Sequence, residues 1–168
     1  MTDVTVRRLG PDDWRTYRDI RLAMLQESPE AFGSRYADAV GFDEQTWRGR
    51  LTSCEHHLAE LDGRPVGSAG LWAQDGGAQD GGAHDGGAHL IGMWVDPACR
   101  RRSVGARLVA AVLERAAATG HDRVRLDVVD GNVAARRLYE RMGFVPTGVV
   151  QDHPDAPGTT ESEMVRLL

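Results

Sequence analysis

The chain contains no lysine: all 20 of its basic residues are arginine. A Gly-Lys-Ser/Thr phosphate loop and Schiff-base catalysis both need a lysine amine, so both are excluded. Only two cysteines occur, Cys54 and Cys99, too few for a disulfide framework or a zinc ribbon, and both read as reduced thiols. Basic charge is in deficit, since 25 Asp plus Glu against 20 Arg leave a net charge of −5. That balance argues against a general nucleic-acid binder, which needs a basic surface to displace counterions from phosphates. Long apolar runs are also missing, and the opening Met-Thr-Asp-Val-Thr-Val has no signal-peptide character. No membrane partner or secretion is expected, and the cytoplasm is the default location.

The chain has 168 residues, 41% hydrophobic and 27% charged, the size and polarity of one globular domain spanning 1–168. Such a domain buries roughly 70% of the surface its unfolded chain exposes, enough for a core and a cleft.

Val4 and Val6 alternate with polar residues as a first strand, and Pro11-Asp12-Asp13 opens a helix. Trp14, Tyr17, Arg21, Met24 and Leu25 follow at the spacing of one helical face, and Pro29 ends the run. A second helix is expected over 43–51. Segments 57–61 and 65–72 flank Asp62-Gly63-Arg64, a strong hairpin signal. Residues 90–95 form a nearly continuous apolar run, which reads as a strand buried on both faces. Helical spacing returns over 103–119, a strand alternates over 124–128, a helix covers 132–142, and strands close the chain over 144–150 and 163–168. The order β-α-α-β-β-β-α-β-α-β-β predicts a mixed α/β sheet.

Between the two halves lies a five-residue repeat, Ala-Gln-Asp-Gly-Gly and its variants, giving a Gly-rich loop over 74–88. With no large apolar side chain it gains too little by burial to offset its ordering entropy. Its Asp and His residues raise a weak metal site, but without supporting neighbours to orient the ligands no metal is expected.

The chemically informative segment follows the 90–95 strand. Asp96-Pro97 stops the strand, Arg100, Arg101 and Arg102 follow, and Ser103-Val104-Gly105-Ala106 starts a helix. The first turn of a helix leaves backbone N–H groups unpaired and carries partial positive charge, and small residues let a phosphate approach the main chain. Adjacent guanidinium groups supply forked donors suited to a pyrophosphate. The competing reading is a solvated basic turn capped by Ser103.

The stretch Val95-Asp96-Pro97-Ala98-Cys99-Arg100-Arg101-Arg102-Ser103-Val104-Gly105-Ala106 resembles the cofactor segment of the GNAT acyltransferase superfamily, whose pattern is Gln/Arg-x-x-Gly-x-Gly/Ala. Arg100 and Gly105 occupy the first and last motif places, and Ser103 stands where the family usually has its middle Gly. A second segment, Asn132-Val133-Ala134-Ala135-Arg136-Arg137-Leu138-Tyr139-Glu140-Arg141-Met142-Gly143-Phe144, resembles the family's Asn-x-x-Ala-x-x-Leu-Tyr-x-x-x-Gly-Phe in the right order and at the right distance. The resemblance implies a GNAT-like fold: a mixed, mostly antiparallel sheet of about seven strands flanked by about four helices. It also implies a single acyltransferase domain using acetyl-CoA as cosubstrate and no metal.

Under that resemblance, Met93, Trp94 and Val95 offer main-chain groups to the pantetheine arm. Arg100, Arg101, Arg102, Ser103, Val104, Gly105 and Ala106 hold the pyrophosphate, with the arginine side chains free to screen phosphates. Asn132 is a polar contact to the pantetheine arm or a helix cap. Tyr139 is the catalytic residue: when an amine attacks a thioester, a phenol near the sulfur protonates the departing thiolate. Without the resemblance Tyr139 reads as a core aromatic, on the same helical face as Ala135, Leu138 and Met142.

No general base stands out. Asp127 and Glu60 are candidates that also read as solvated or ion-paired carboxylates, and His56, His57 and His89 carry no spacing argument. The acceptor site is expected to draw on Glu30-Ala31-Phe32-Gly33-Ser34, Trp72 and Trp94. The acidic balance favours a cationic amine, small-molecule or peptide, although net charge does not fix the field inside a cleft. The leading reading is an N-acetyltransferase working by direct transfer in a ternary complex. A non-catalytic acyl-CoA-binding sensor is the alternative, and a nucleic-acid binder built on the Arg turn a remote third. The resemblance and the exposed sheet edges together suggest a homodimer through the last strands.

Overall fold

The computed structural model describes residues 3–32, 34–73, 87–154 and 156–168. The alternating residues at the start form β1 (Val4–Arg8), and Pro11–Asp13 makes a single 3-10 turn before α1 (Trp14–Glu27). Helix α1 ends where the Ser28 N–H bonds back to the Met24 carbonyl, one residue before Pro29. The short α2 (Tyr36–Ala39) escaped sequence reading because one turn is too short to show periodicity. Helix α3 (Glu44–Ser53) starts at Asp43, whose Oδ1 accepts from the Thr46 N–H at 2.8 Å.

The hairpin β2 (Glu55–Leu61) and β3 (Arg64–Ala73) turns through Asp62 and Gly63, both at positive φ, as the Asp-Gly pair predicts. Strand β4 (Ala88–Val95) begins earlier than the 90–95 expectation, since Ala88 and His89 pair with Ala73 and Trp72 and are buried. The expected loop therefore gives up Ala88; residues 74–86 of it, with the Asp and His side chains considered for a metal, lie outside the described residues. Burial on both faces also fails from Ile91 onward, where Ile91 is 39% exposed and Gly92, Met93 and Val95 are half-buried. Helix α4 (Val104–Ala118), β5 (Arg123–Val129), α5 (Val133–Arg141), β6 (Val145–Asp152) and β7 (Thr160–Leu167) complete the chain.

The seven strands form one sheet in the order β1-β2-β3-β4-β5-β7-β6, antiparallel throughout except for the β4–β5 pair. Together with five α-helices this is the mixed, mostly antiparallel architecture expected, with α2 as the additional helix. Side chains alternate across a strand, so the neighbours Leu58 and Ala59, both fully buried, join different cores. Ala59 belongs to the core beneath α4, with Leu108, Val112, Ala116, Leu126 and Phe144. Leu58 belongs to the core of α1 and α3, with Tyr17, Met24, Leu25 and Trp47. Strand β6 is an edge strand whose eight residues are all exposed.

Helix α4 reaches the sheet across Gly67, where an added Cβ would stand 2.9 Å from the Trp94 carbonyl oxygen and 3.0 Å from Leu108 Cδ1. Gly67→Ala is expected to destabilise the fold by about 1–3 kcal/mol through overpacking. Gly49, inside α3 with nothing within 4 Å of its Cβ position, gives the opposite sign. Gly49→Ala stabilises by about 0.5–1 kcal/mol, and urea unfolding of both variants checks the pair.

Candidate functional site

Strands β4 and β5 pair only at Ala88–Val124 and His89–Arg125. Beyond those two pairs they diverge, although β4 runs on to Val95 and β5 to Val129. The β4 edge facing β5 from Leu90 onward thus has no strand partner, and its backbone N–H and C=O groups look into the gap. A bulge sharpens the divergence: β3 steps from Ser68 to Gly70 while β4 steps from Trp94 to Ile91, so Gly92 and Met93 oppose one residue. Gly92 takes φ +55 there, and a Cβ on it would stand 3.2 Å from the Arg21 guanidinium.

The gap opens into a cavity of about 1070 Å³ lined by both diverging strands, the turn before α4, α5 and the α1–α3 side. Met93, Trp94 and Val95 line it, as do Arg100, Arg101, Ser103, Val104, Gly105, Ala106, Asn132 and Tyr139. Arg102 does not; it is exposed outside the cavity.

The turn before α4 is built from local hydrogen bonds. Asp96 Oδ1 accepts from the Ala98 N–H at 2.9 Å, Pro97–Cys99 forms a 3-10 turn, and Arg101 and Ser103 take φ of 64° and 62°. The Arg107 N–H bonds the Ser103 carbonyl at 3.0 Å, so the Val104, Gly105 and Ala106 N–H groups precede the first helical bond and have no intrahelical acceptor. The competing reading, a turn capped by Ser103, does not hold, since the Ser103 side chain makes no capping bond. A capping residue typically has negative φ, whereas Ser103 is left-handed, and the first-turn donors are left open to a ligand. Close approach at Gly105 is enforced from behind, because a Cβ there would stand 2.9 Å from Leu138 Cδ2.

The arginines of the turn are not equally free. Arg100 donates from Nε to the Val95 carbonyl at 3.0 Å and from its NH2 group to both Glu27 carboxylate oxygens at 3.2 Å. Glu27 also accepts from Trp94 Nε1 at 2.8 Å. Arg100 therefore ties the turn to the end of α1, which corrects the expectation of a side chain free for phosphates. Arg101 is exposed at the cavity wall.

Asn132 caps α5, its Oδ1 accepting from the Ala135 N–H at 3.2 Å, and also lines the cavity. Further along the same helix, Tyr139 is 6% exposed and packs edge-on against Phe144 at 5.9 Å between ring centroids. Burial raises its phenol pKa well above the usual value near 10, so it stays protonated at neutral pH.

Of the base candidates, Glu60 is ion-paired with Arg7 at 3.3 Å, and neither Glu60 nor His57 lines the cavity. Asp127, His56 and His89 do. Burial lowers the His56 imidazole to about 4, with the Arg21 charge acting in the same direction, so it is neutral at pH 7 and a weak base. Cys54 donates to the Leu71 carbonyl at 3.3 Å and its thiol is pushed up to about 12 by burial, which removes it as a nucleophile.

Phe32, Ser34, Trp72 and Trp94 line the cavity, as do Tyr17, Arg21 and Arg50 beside His56. Gly33 lies outside the described residues. Sequence reading missed Arg21, Arg50 and Tyr17 as site residues. The signal was Arg21 on the apolar stripe of α1, a charge where periodicity calls for a core residue.

The acetyltransferase (GNAT) family model matches residues 18–144. A curated mycothiol acetyltransferase from Gordonia bronchialis is 48% identical over 50 residues, covering 30% of this chain and 16% of that protein's length. The chain thus spans less than a fifth of that relative. Among solved structures, a GNAT-family acetyltransferase from Streptococcus pneumoniae superposes with a TM-score of 0.79, 19% identity and 99% coverage of both chains. The acetyltransferase yncA from Salmonella typhimurium, solved with its cofactor acetyl-CoA, gives a TM-score of 0.74 at 19% identity, covering 99% of this chain and 94% of its own.

The buried His56 makes stability depend on pH. Its folded pKa is depressed, so its neutral form is favoured in the native state and its contribution is complete above the unfolded value near 6.5. It is lost as pH falls from 6.5 toward 4. At pH 5 the expected loss from His56 is about 2 kcal/mol relative to pH 7.5. Urea unfolding across that range should show a shallower slope for His56→Gln; an unchanged slope contradicts the assignment.

Proposed function

Because the chain belongs to the acetyltransferase (GNAT) family, we propose that it transfers an acetyl group from acetyl-CoA to a primary amine, directly within a ternary complex. The observation that carries this reading is the sharing of one cavity by an unpaired strand edge, an uncapped helix N-terminus and a protonated, buried phenol.

The residues fit acetyl-CoA on structural grounds. Gly105 packs against Leu138 with no room for a Cβ, and the Val104, Gly105 and Ala106 N–H groups beside it have no intrahelical acceptors. In this reading those donors, helped by Arg101, hold the pyrophosphate, while Met93, Trp94 and Val95 pair with the pantetheine amides along the open β4 edge. Asn132 keeps its capping bond and adds a polar contact to the same arm. When bound, acetyl-CoA supplies an activated thioester.

The chain's own part is positioning and one proton. The amine nitrogen forms a bond to the acyl carbon as the carbon–sulfur bond breaks; the nitrogen loses a proton and the sulfur gains one. Tyr139 gives its phenol proton to the sulfur and is reprotonated from solvent. Cys54 and Cys99 take no part, which agrees with direct transfer. The proton lost by the amine passes to solvent, since His56 is too weak a base to hold it at neutral pH. A second copy would pair along the fully exposed edge strand β6.

Tyr139→Phe keeps the ring against Phe144 and removes the proton. Its kcat should fall about 10²–10⁴-fold with the KM for acetyl-CoA within about twofold of wild type, measured by thiol release at saturating amine. Full turnover in that variant would remove the acid role.

A further inference from the structure

Among the described residues the cavity is lined by five arginines, Arg21, Arg50, Arg100, Arg101 and Arg141, against one carboxylate, Asp127, in a chain whose net charge is −5. Arg100 is neutralised by Glu27, and Arg101 flanks the turn before α4. Arg21 and Arg50 are different. They come from α1 and α3, are half-buried where Arg101 and Arg141 are exposed, and neither has a carboxylate partner among the described residues, where ten other arginines do.

What the two guanidinium groups touch is neutral. Arg21 reaches Ser34 Oγ at 3.4 Å, Met24 Sδ at 3.7 Å and the face of Phe32 at 5.7 Å from its centroid. Arg50 lies 4.9 Å over the Phe42 ring and beside the Tyr17 hydroxyl. Tyr17 is 2% exposed and packs on His56 with ring centroids 4.5 Å apart and the planes tilted by 42°. Burial and the Arg50 charge both push the Arg21 pKa down, so this cation is held in a partly desolvated place next to another cation. An uncompensated buried charge is costly, and a binding site is where such a cost is offset by a ligand of opposite sign.

Resting on the acetyltransferase reading, we infer that the acceptor is an amine that also carries a carboxylate, an amino acid in the broad sense, with Arg21 and Arg50 holding the acid group at the α1–α3 end of the cavity. A carboxylate matches the planar fork of a guanidinium, and the Ser34 and Tyr17 hydroxyls beside the two arginines are further donors to it. The same positive field acts on the nucleophile: cations near an ammonium favour its neutral form, the form that attacks. Net acidity of the chain, which favours a cationic amine on composition alone, is reversed inside the site.

The test compares matched pairs. Wild-type enzyme with acetyl-CoA is given α-, β- and γ-amino acids and, in parallel, their carboxamides and the decarboxylated amines. Thiol release measures turnover, and calorimetry on the CoA-loaded protein measures binding. The best acid is expected to exceed its own carboxamide at least tenfold in kcat/KM and in affinity. Arg21→Gln and, separately, Arg50→Gln should shrink that ratio toward one, mainly through KM for the acid. Carboxamides or plain amines accepted as well as the acids overturn the inference and leave the acetyltransferase reading standing. Arg-dependent binding of an acid without any thiol release supports the inference while contradicting that reading. No acid bound and none acetylated overturns the inference outright.

Discussion

Everything at the site follows from two strands that stop pairing. A parallel pair that continued past His89–Arg125 would satisfy the β4 and β5 backbones against each other and fill the space with side chains. Instead the ladder ends after two residue pairs, and the bulge at Gly92 and Met93 turns β4 away. Unpaired backbone in a protein interior demands a partner. The opening therefore supplies both room and directional donors and acceptors. Helix α4 begins just beyond the end of β4, so its uncapped first turn faces the same opening.

The rest of the architecture keeps that opening fixed. Antiparallel neighbours hold β4 on one side through β3 and β5 on the other through β7, and the core beneath α4 draws side chains from both halves of the sheet, including Leu90 and Leu126. The Glu27 carboxylate joins Trp94 of β4, Arg100 of the turn and the end of α1 in one node. Exposed ion pairs of this kind contribute little to stability, so its consequence is geometric: the helix that carries Arg21 is tied to the turn that leads into α4. Charge is divided accordingly, with main-chain donors and Arg101 at one end, Arg21 and Arg50 at the other, and a neutral phenol between them in chemical role.

Legibility in the sequence tracked local periodicity. The strand and helix order was readable because Val4 and Val6 alternate, because Tyr17, Met24 and Leu25 share a helical face, and because Asp62-Gly63 marks a turn. The motif residues Gly105, Asn132 and Tyr139 were readable because their spacing matches a known pattern, and all three line the cavity. At the site, three things were not legible. The left-handed φ at Ser103 is a property of the turn's closure, and serine as a residue type suggests the opposite, a cap. The engagement of Arg100 by Glu27 joins positions 73 apart in sequence. The pairing of Arg21 with Arg50 in one cavity depends on how α1 packs on α3, which no periodicity encodes.

Amide hydrogen exchange on the full chain, with and without saturating acetyl-CoA, reads the central claim most directly. The account predicts that ligand slows exchange in residues 91–95 and 101–106, the open strand edge and the uncapped turn, and leaves the edge strands β1 and β6 unchanged. Binding with protection elsewhere, and none in those two segments, would contradict it.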